Sequence, residues 1–484
     1  MEKRNRRNKI RAGLLIGLAA FMLWGLAASA GPVVRGTDVT VPKDGNVIVN
    51  VPGWFYRENT DTVLSLVNGY RQEACALGYP NPENPEVSLT MADYYPVKWS
   101  SDLEWIAQTR AAESVVLQGH ERPNGSWCFS ASHNGIFSSS ETLAWNYSGL
   151  LDGIRQWYGE KDDWVARNRN AVTGHYTAMI NPSLRYIGIG CFLPYKGGYC
   201  IAGEYSEEET LTELPAGAEG EMWQRMEVPA ANVMALTVTG PEKLTSGWSG
   251  GFTAKQYVAF PRSGDTQIIP DGVAVWSTSD PQTVSIDQMG FVNAEKPGTV
   301  TVTLVYGNEP PISKTLTVIP PEKGMELTLS EATYIVTEEG KTVEYGKYTG
   351  EAAKTAVPAT VTAGGIRYTV TSVGEKAFYG KTNLKTVTLG KNIKTIGSRA
   401  FYNCKKLSAV TIPAKVTSIG KKAFYNCKKL KNITIKTKKL KAAKVGSGAF
   451  GKTGAKKITV PGGKKNAYTK WLRARGIGKK VTIR

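Results

Sequence analysis

The 484 residues contain three histidines, and all of them fall in one stretch: His120, His133 and His175. Histidine titrates nearer neutral pH than any other side chain, and its neutral ring accepts hydrogen bonds and ligates divalent metals. Among the carboxylates of the same stretch are Glu141 in "SSSETLAW" and Glu160 in "WYGEKDDW". Two imidazoles and two carboxylates facing one pocket can hold a divalent ion such as Zn²⁺. The same set can support hydrolysis, with a glutamate as base toward a metal-bound water attacking a peptide or ester carbonyl. Each residue also has a plainer reading. Glu141 can close a capping box with Ser138, Glu160 can belong to a solvated acidic cluster with Asp162 and Asp163, and a lone histidine is usually a hydrogen-bonded structural group.

These residues need a scaffold, and the flanking periodicities supply one. "TVLSLVNGYRQEACALGYP" has apolar residues at helical spacing, with Asp61 or Thr62 as cap and Gly78 near the stop. "SSDLEWIAQTRAAESVVLQGH" predicts a second helix, capped by Ser100 or Ser101, with a buried stripe of Leu103, Ile106, Ala107, Ala111, Val115 and Val116. "SGLLDGIRQWYGE" predicts a third. "LRYIGIGCFLPYKGGYCIAGEYS" reads as two strands around a Pro/Gly turn, with His175 just ahead of the first. Helices followed by an antiparallel hairpin predict an α+β domain over residues 57–210, preceded by a linker over 31–56.

The rest of the chain is built differently. Residues 228–320 are short alternating runs broken by Gly, Pro, Asp and Ser, which predicts an all-β sandwich with Trp276 in its core. Residues 323–364 form a transition segment. From 365 to 484 an internal repeat appears, with Ala-Phe pairs at Phe378, Phe401, Phe424 and Phe450 and leucines at Leu384, Leu407 and Leu430. A period in the twenties predicts a leucine-rich solenoid in which each copy buries its apolar face against the next. Cys404 and Cys427 take the same place in adjacent copies and read as small buried residues rather than a metal pair. Residues 366–484 carry 31 Lys or Arg against one acid, Glu375, so this quarter is near +30 and everything before it near −11. A folded cationic surface of that size should attract polyanions.

The first thirty residues have a basic start, an apolar run from Ala12 to Leu26, and Ala28-Ser29-Ala30. This is the layout of a cleaved signal peptide, with an uncleaved anchor as the runner-up. The expected protein is secreted and has no transmembrane span in its mature form, and specific nucleic-acid binding is disfavoured. Six cysteines are too few for a disulfide scaffold. If Tyr195-Lys196 forms the hairpin turn, Cys191 and Cys200 sit opposite each other and one bridge is possible; Cys75 and Cys128 could form another.

Several stretches in this order resemble the CAP superfamily of cysteine-rich secretory, antigen 5 and pathogenesis-related 1 proteins, also called the SCP domain. They are Asn68 and Arg71 in the first helix, "GHERPNGSWCF", "ETLAW", "QWYGE" and "GHYTAMINPSLRYIGIGCF". The resemblance implies an α-β-α sandwich with a cleft lined by two His and two Glu, which here become His120, Glu141, Glu160 and His175. It leaves His133 as a loop residue. Ser140 and Thr142 depart from the family's usual Gly and Asn around the first glutamate. Residues 228–320 resemble a bacterial group-2 Ig-like domain, and the repeats resemble the BspA-like leucine-rich type; both imply display and adhesion.

The combined expectation is a secreted bacterial surface protein. Its cleft would take a lipid, a protein ligand or a divalent metal at His120 and His175, and its repeats would bind anionic wall polymer, glycan or another polyanion. The alternative is a metal-dependent hydrolase, a peptidase or esterase, with Glu141 and Glu160 as catalytic groups. H-E-x-x-H is absent, and no Gly-x-Ser-x-Gly elbow appears between a predicted strand and a predicted helix, which favours binding.

Overall fold

A computed structural model describes residues 33–213, 217–307 and 309–484. The leader expected over 1–30 lies outside the described residues, among which no helix is long and apolar enough to cross a membrane. The protein is multidomain and mostly β with few helices. It divides into two units.

The first unit is built on a mixed sheet. Its main strands are β1 (Val33–Arg35), β2 (Asn46–Tyr56), β3 (Ser140–Asn146), β4 (Tyr186–Pro194), β5 (Tyr199–Ser206), β6 (Gly220–Pro229), β7 (Thr253–Phe260) and β8 (Gly264–Pro270), with short strands at Lys98–Trp99 and Thr237–Thr239. The path β7-β8-β2-β4-β5-β3 leaves β3 at an edge, while β6 pairs with β1 and with the length of β2. Four helices cover the sheet: α1 (Thr60–Ala76), α2 (Ser101–Val116), α3 (Leu150–Tyr158) and α4 (Gly174–Ile180). Strand alternation splits the apolar side chains between two layers. Ile187, Ile189, Cys191 and Ile201 pack with Val63, Val67, Ile154, Trp157 and Met179 from α1, α3 and α4. Phe192, Ala202, Leu143 and Val51 pack with Ala107, Ala111 and Val116 of α2 on the other face.

Gly188 and Gly190 explain how α2 comes so close. A Cβ at Gly188 would stand 2.0 Å from Glu104 N, and one at Gly190 would stand 2.2 Å from Gln108 N. The helix backbone lies directly on β4, and "YIGIGCF" is the sequence that permits it.

Three boundaries differ from the sequence reading. Residues 46–56, expected as linker, form β2, whose Val49, Val51 and Phe55 are buried in the core. Within 228–320, β7 and β8 pair with each other and with β2, because their alternating Val258, Phe260 and Ile268 complete the first unit's core rather than a separate sandwich. His175 lies on the short helix α4 instead of opening a strand.

The second unit begins with two small sheets. Four strands (Lys243–Thr245, Ile312–Ile319, Gly298–Tyr306, Ala274–Thr278) make one, and three (Ser249–Gly251, Phe291–Ala294, Val284–Ile286) make the other; Trp276 is buried. The repeats then stack as parallel strands, including Thr386–Leu389, Ala409–Ile412 and Asn432–Ile435. Phe378, Phe401, Phe424 and Phe450 form a continuous stack with centroids 4.8, 5.0 and 5.5 Å apart. The Cys404 and Cys427 thiols each donate to the Phe carbonyl of the preceding copy, at 3.1 and 3.0 Å. The transition segment is part of this core: Tyr334, Val343, Tyr345 and Val357 share one cluster with the repeat residues.

Candidate functional site

The site forms at the edge strand β3, where groups from both helical layers can meet. Glu141 lies on β3 itself, which removes its capping-box reading. His120 follows α2, Glu160 follows α3, and His175 occupies the first turn of α4. Two polar residues of α1 anchor the segments around it, and one of them reaches α4. Arg71 of α1 is buried and donates to the carbonyls of Tyr95, Met179 and Leu184 at 2.9, 2.9 and 3.2 Å. Asn68 exchanges hydrogen bonds with the backbone of Val97 at 3.1 and 2.8 Å.

The four expected residues come together as two imidazole–carboxylate pairs. His120 Nδ1 lies 2.7 Å from Glu141 Oε1, and His175 Nδ1 lies 2.6 Å from Glu160 Oε1. The rings are near-parallel, inclined by 29°, with centroids 5.9 Å apart. Glu160 also accepts from the backbone N–H of His175 and Tyr176 at 3.0 and 3.1 Å, so one carboxylate caps α4 and orients its histidine. In a neutral ring, a carboxylate on Nδ1 selects the Nδ1–H tautomer and leaves Nε2 with its lone pair. The His120 side chain is 45% exposed and that of His175 20%, whereas Glu141 is 1% exposed. His120 faces the surface over its buried carboxylate, whereas His175 and Glu160 are about equally exposed. His133 stands apart, stacked on Trp105 at 4.4 Å.

The support for Glu141 was not visible in the sequence. Arg110 on α2 is fully buried and forks Glu141, with Nε to Oε2 at 2.6 Å and Nη2 to Oε1 at 3.2 Å. Its Nη1 reaches Glu113 at 2.8 Å, Glu113 pairs with Arg122 at 2.7 Å, and Arg122 pairs with Asp38 at 2.7 Å. A chain of buried charges thus runs from Asp38 to His120. Burial alone would raise the Glu141 carboxyl, but the His120 hydrogen bond and the Arg110 charge outweigh it and bring it down to about 2. The clue available beforehand was polar residues on α2 outside its apolar stripe; Asp102, Gln108, Thr109, Arg110 and Glu113 are all buried.

His120, Cys128 and Glu141 also lie within reach of one ion. Burial pushes the Cys128 thiol up to about 12, and Glu141 is already taken by Arg110, so neither is prepared as a ligand there.

The expected bridge between Cys191 and Cys200 is overturned by register. Cys191 pairs with Ile201 and Phe192 with Cys200, so the two cysteines are one step out of line and point to opposite faces of the sheet. Both are free, as are Cys75 and Cys128.

With this geometry established, comparison with known proteins is informative. The cysteine-rich secretory protein family (CAP) matches residues 64–205, and the BspA-type leucine-rich repeat region matches 360–472 in six copies. The chain carries a CAP domain and BspA-type repeats. The matched CAP span ends before β6, β7 and β8. Similar solved structures include a leucine-rich repeat protein from Bacteroides ovatus, 30% identical over 32% of this chain and 36% of that one, with a TM-score of 0.26. Another from Bacteroides capillosus is 28% identical over 28% of this chain and 99% of that one, with a TM-score of 0.25. A leucine-rich cell surface protein from Faecalibacterium prausnitzii is 23% identical over 34% and 51%, with a TM-score of 0.20. The chain thus spans about a third of the length of the first of these. No curated protein matches it.

Proposed function

We propose that this is a secreted, surface-associated binding protein. In this reading the CAP cleft presents two imidazole Nε2 atoms to a ligand, and the basic repeats hold the protein to an anionic wall polymer or glycan. The observation that carries the cleft reading is the pairing of each imidazole Nδ1 with its own carboxylate on two neighbouring, near-parallel rings.

A divalent ion fits this donor set in part. Carboxylates on Nδ1 are the usual outer partners of metal-binding histidines, and His120 and His175 would be the residues to hold the ion. When bound, such an ion would supply Lewis acidity and an activated water. However, both oxygens of Glu141 are engaged by Arg110 and His120, and both of Glu160 by the first turn of α4. Two imidazoles fall short of the three protein ligands usual for catalytic zinc. Glu141, held at about 2, is also a poor general base. Binding is therefore favoured over metal-dependent hydrolysis. Turnover of a peptide or ester substrate that is lost in Glu141→Gln with the fold intact would reverse that preference.

The repeat reading is supported by uncompensated charge. Within residues 366–484 Glu375 is the single acid, and its contact with Lys376 is 3.9 Å long between exposed groups. Co-sedimentation of the full chain with anionic wall polymer should be strong at low salt and largely lost in molar salt, where exposed charges are screened within about 3 Å. Retention in molar salt would contradict it.

A further inference from the structure

Glu204 on β5 is the cross-strand partner of Glu141 on β3. It is 1% exposed, and neither of its oxygens receives a hydrogen bond from the described protein. The Ser138 hydroxyl beside it is unmatched as well. The other titratable groups around it are Arg110 on α2, Cys128 in the turn at 128–130, and the adjoining Tyr205.

An ionised carboxylate in that position would have the Ser138 hydroxyl as its one nearby donor and Arg110, already forking Glu141, as its one counter-charge. Asp38, Glu113 and Glu141 are three carboxylates sharing two guanidiniums, Arg110 and Arg122, before Glu204 is counted. Two adjacent buried carboxyls do not both ionise, and the one holding the cation keeps the charge. Arg110 forks Glu141, so the proton belongs on Glu204. A neutral acid has one O–H to donate, and the acceptor beside it is Glu141.

We infer that Glu204 is a neutral carboxylic acid that hydrogen-bonds the Glu141 carboxylate and so acts as a positioning residue for the His120–Glu141 pair. Arg110, Glu204 and His120 together fix the carboxylate, which aims one oxygen at His120 Nδ1. Burial first, and the neighbouring Glu141 charge second, push the Glu204 carboxyl well above its usual range, in agreement. The positioning role rests on the tetrad being the functional cleft; the protonation does not.

The test is carbon-detected NMR of the full chain with ¹³C-labelled glutamate side chains at pH 7. One carboxyl should show the shift of a protonated acid, and Glu204→Gln should remove that signal and no other. If Glu204→Gln fails to fold, Glu204→Met, which fills similar volume without a polar atom, serves the same assignment. A wild-type spectrum with no protonated glutamate, or a signal that persists in the variant, overturns the inference whatever the cleft binds.

The pH profile gives a second reading that a purely structural residue would not move. A carboxyl raised above its ordinary 4.5 binds more protons folded than unfolded. Wild type therefore loses stability as pH rises from about 5 toward neutral, and Glu204→Gln escapes that loss. The folded-to-unfolded ratio of the variant relative to wild type should grow by up to about tenfold per pH unit over that range. A flat ratio overturns the inference.

Discussion

At the residue scale, the site depends on charges that the imidazoles conceal. Removing Arg110 would leave the buried Glu141 with His120 alone and the buried Glu113 with Arg122 alone, which also serves Asp38. Arg110→Met should therefore destabilise the first unit by about 3–5 kcal/mol in denaturant titrations, far more than deleting a surface ion pair. The Glu141 carboxyl gives a pH dependence with a definite sign. Its folded value is depressed to about 2 from 4.5, so its contribution is present above pH 4.5 and lost as pH falls toward 2. Acidification across that window should cost the first unit on the order of 3 kcal/mol, read from its unfolding midpoint, and Glu141→Gln should lack this limb. His120, Glu141, Glu160 and His175 could be singled out because each lies in a stretch that resembles the CAP family. Arg110, Glu113, Arg122 and Glu204 were not, because a charge on a helix or strand reads as solvated unless its surroundings are known. Nothing in "AQTRAAES" shows that both sides of α2 are covered.

At the element scale, the contact between α2 and β4 is the tightest constraint in the first unit. A Cβ at either Gly188 or Gly190 would collide with helix backbone, which cannot move without shifting Arg110 and hence Glu141. Gly190→Ala should abolish folding of the first unit or destabilise it by more than about 4 kcal/mol, measured by circular dichroism, with the repeats retaining their structure. The repeats have their own weak point. Phe401 stacks between Phe378 and Phe424, and Phe401→Ala should destabilise the solenoid by about 3–5 kcal/mol while leaving the cleft unchanged. Element types were mostly readable: α1, α2, α3 and the β4–β5 hairpin follow their periodicities. In β2 "VIVNVPGW" reads as a short β-like piece of a linker, because sequence does not show that the strand is paired on both sides. The Cys191–Cys200 bridge was offered on an assumed turn at Tyr195-Lys196, and a hairpin's pairing can shift register by one residue, as it does here.

At the scale of the whole molecule, charge and sheet partnership matter most. The alternation in residues 253–270 announces strands but carries no information about which sheet they join, and they complete the first unit. The charge asymmetry was fully legible, because it is a property of composition. With 31 cations against one acid, the repeat region repels itself, and added salt should relieve that. Raising ionic strength from about 0.05 to about 0.5 M should raise the unfolding midpoint of the repeats while shifting that of the first unit much less, as followed by calorimetry.

The central claim is that His120 and His175 converge with their Nδ1 atoms on carboxylates and their Nε2 atoms bare. The most direct measurement is long-range ¹⁵N correlation NMR of the full chain with labelled histidine, where three rings give three patterns. His120 and His175 should both appear as Nδ1–H tautomers, with a cross-relaxation peak between their ring protons and none to His133. An Nε2–H tautomer at either residue, or no proximity between the two rings, would contradict the cleft described above.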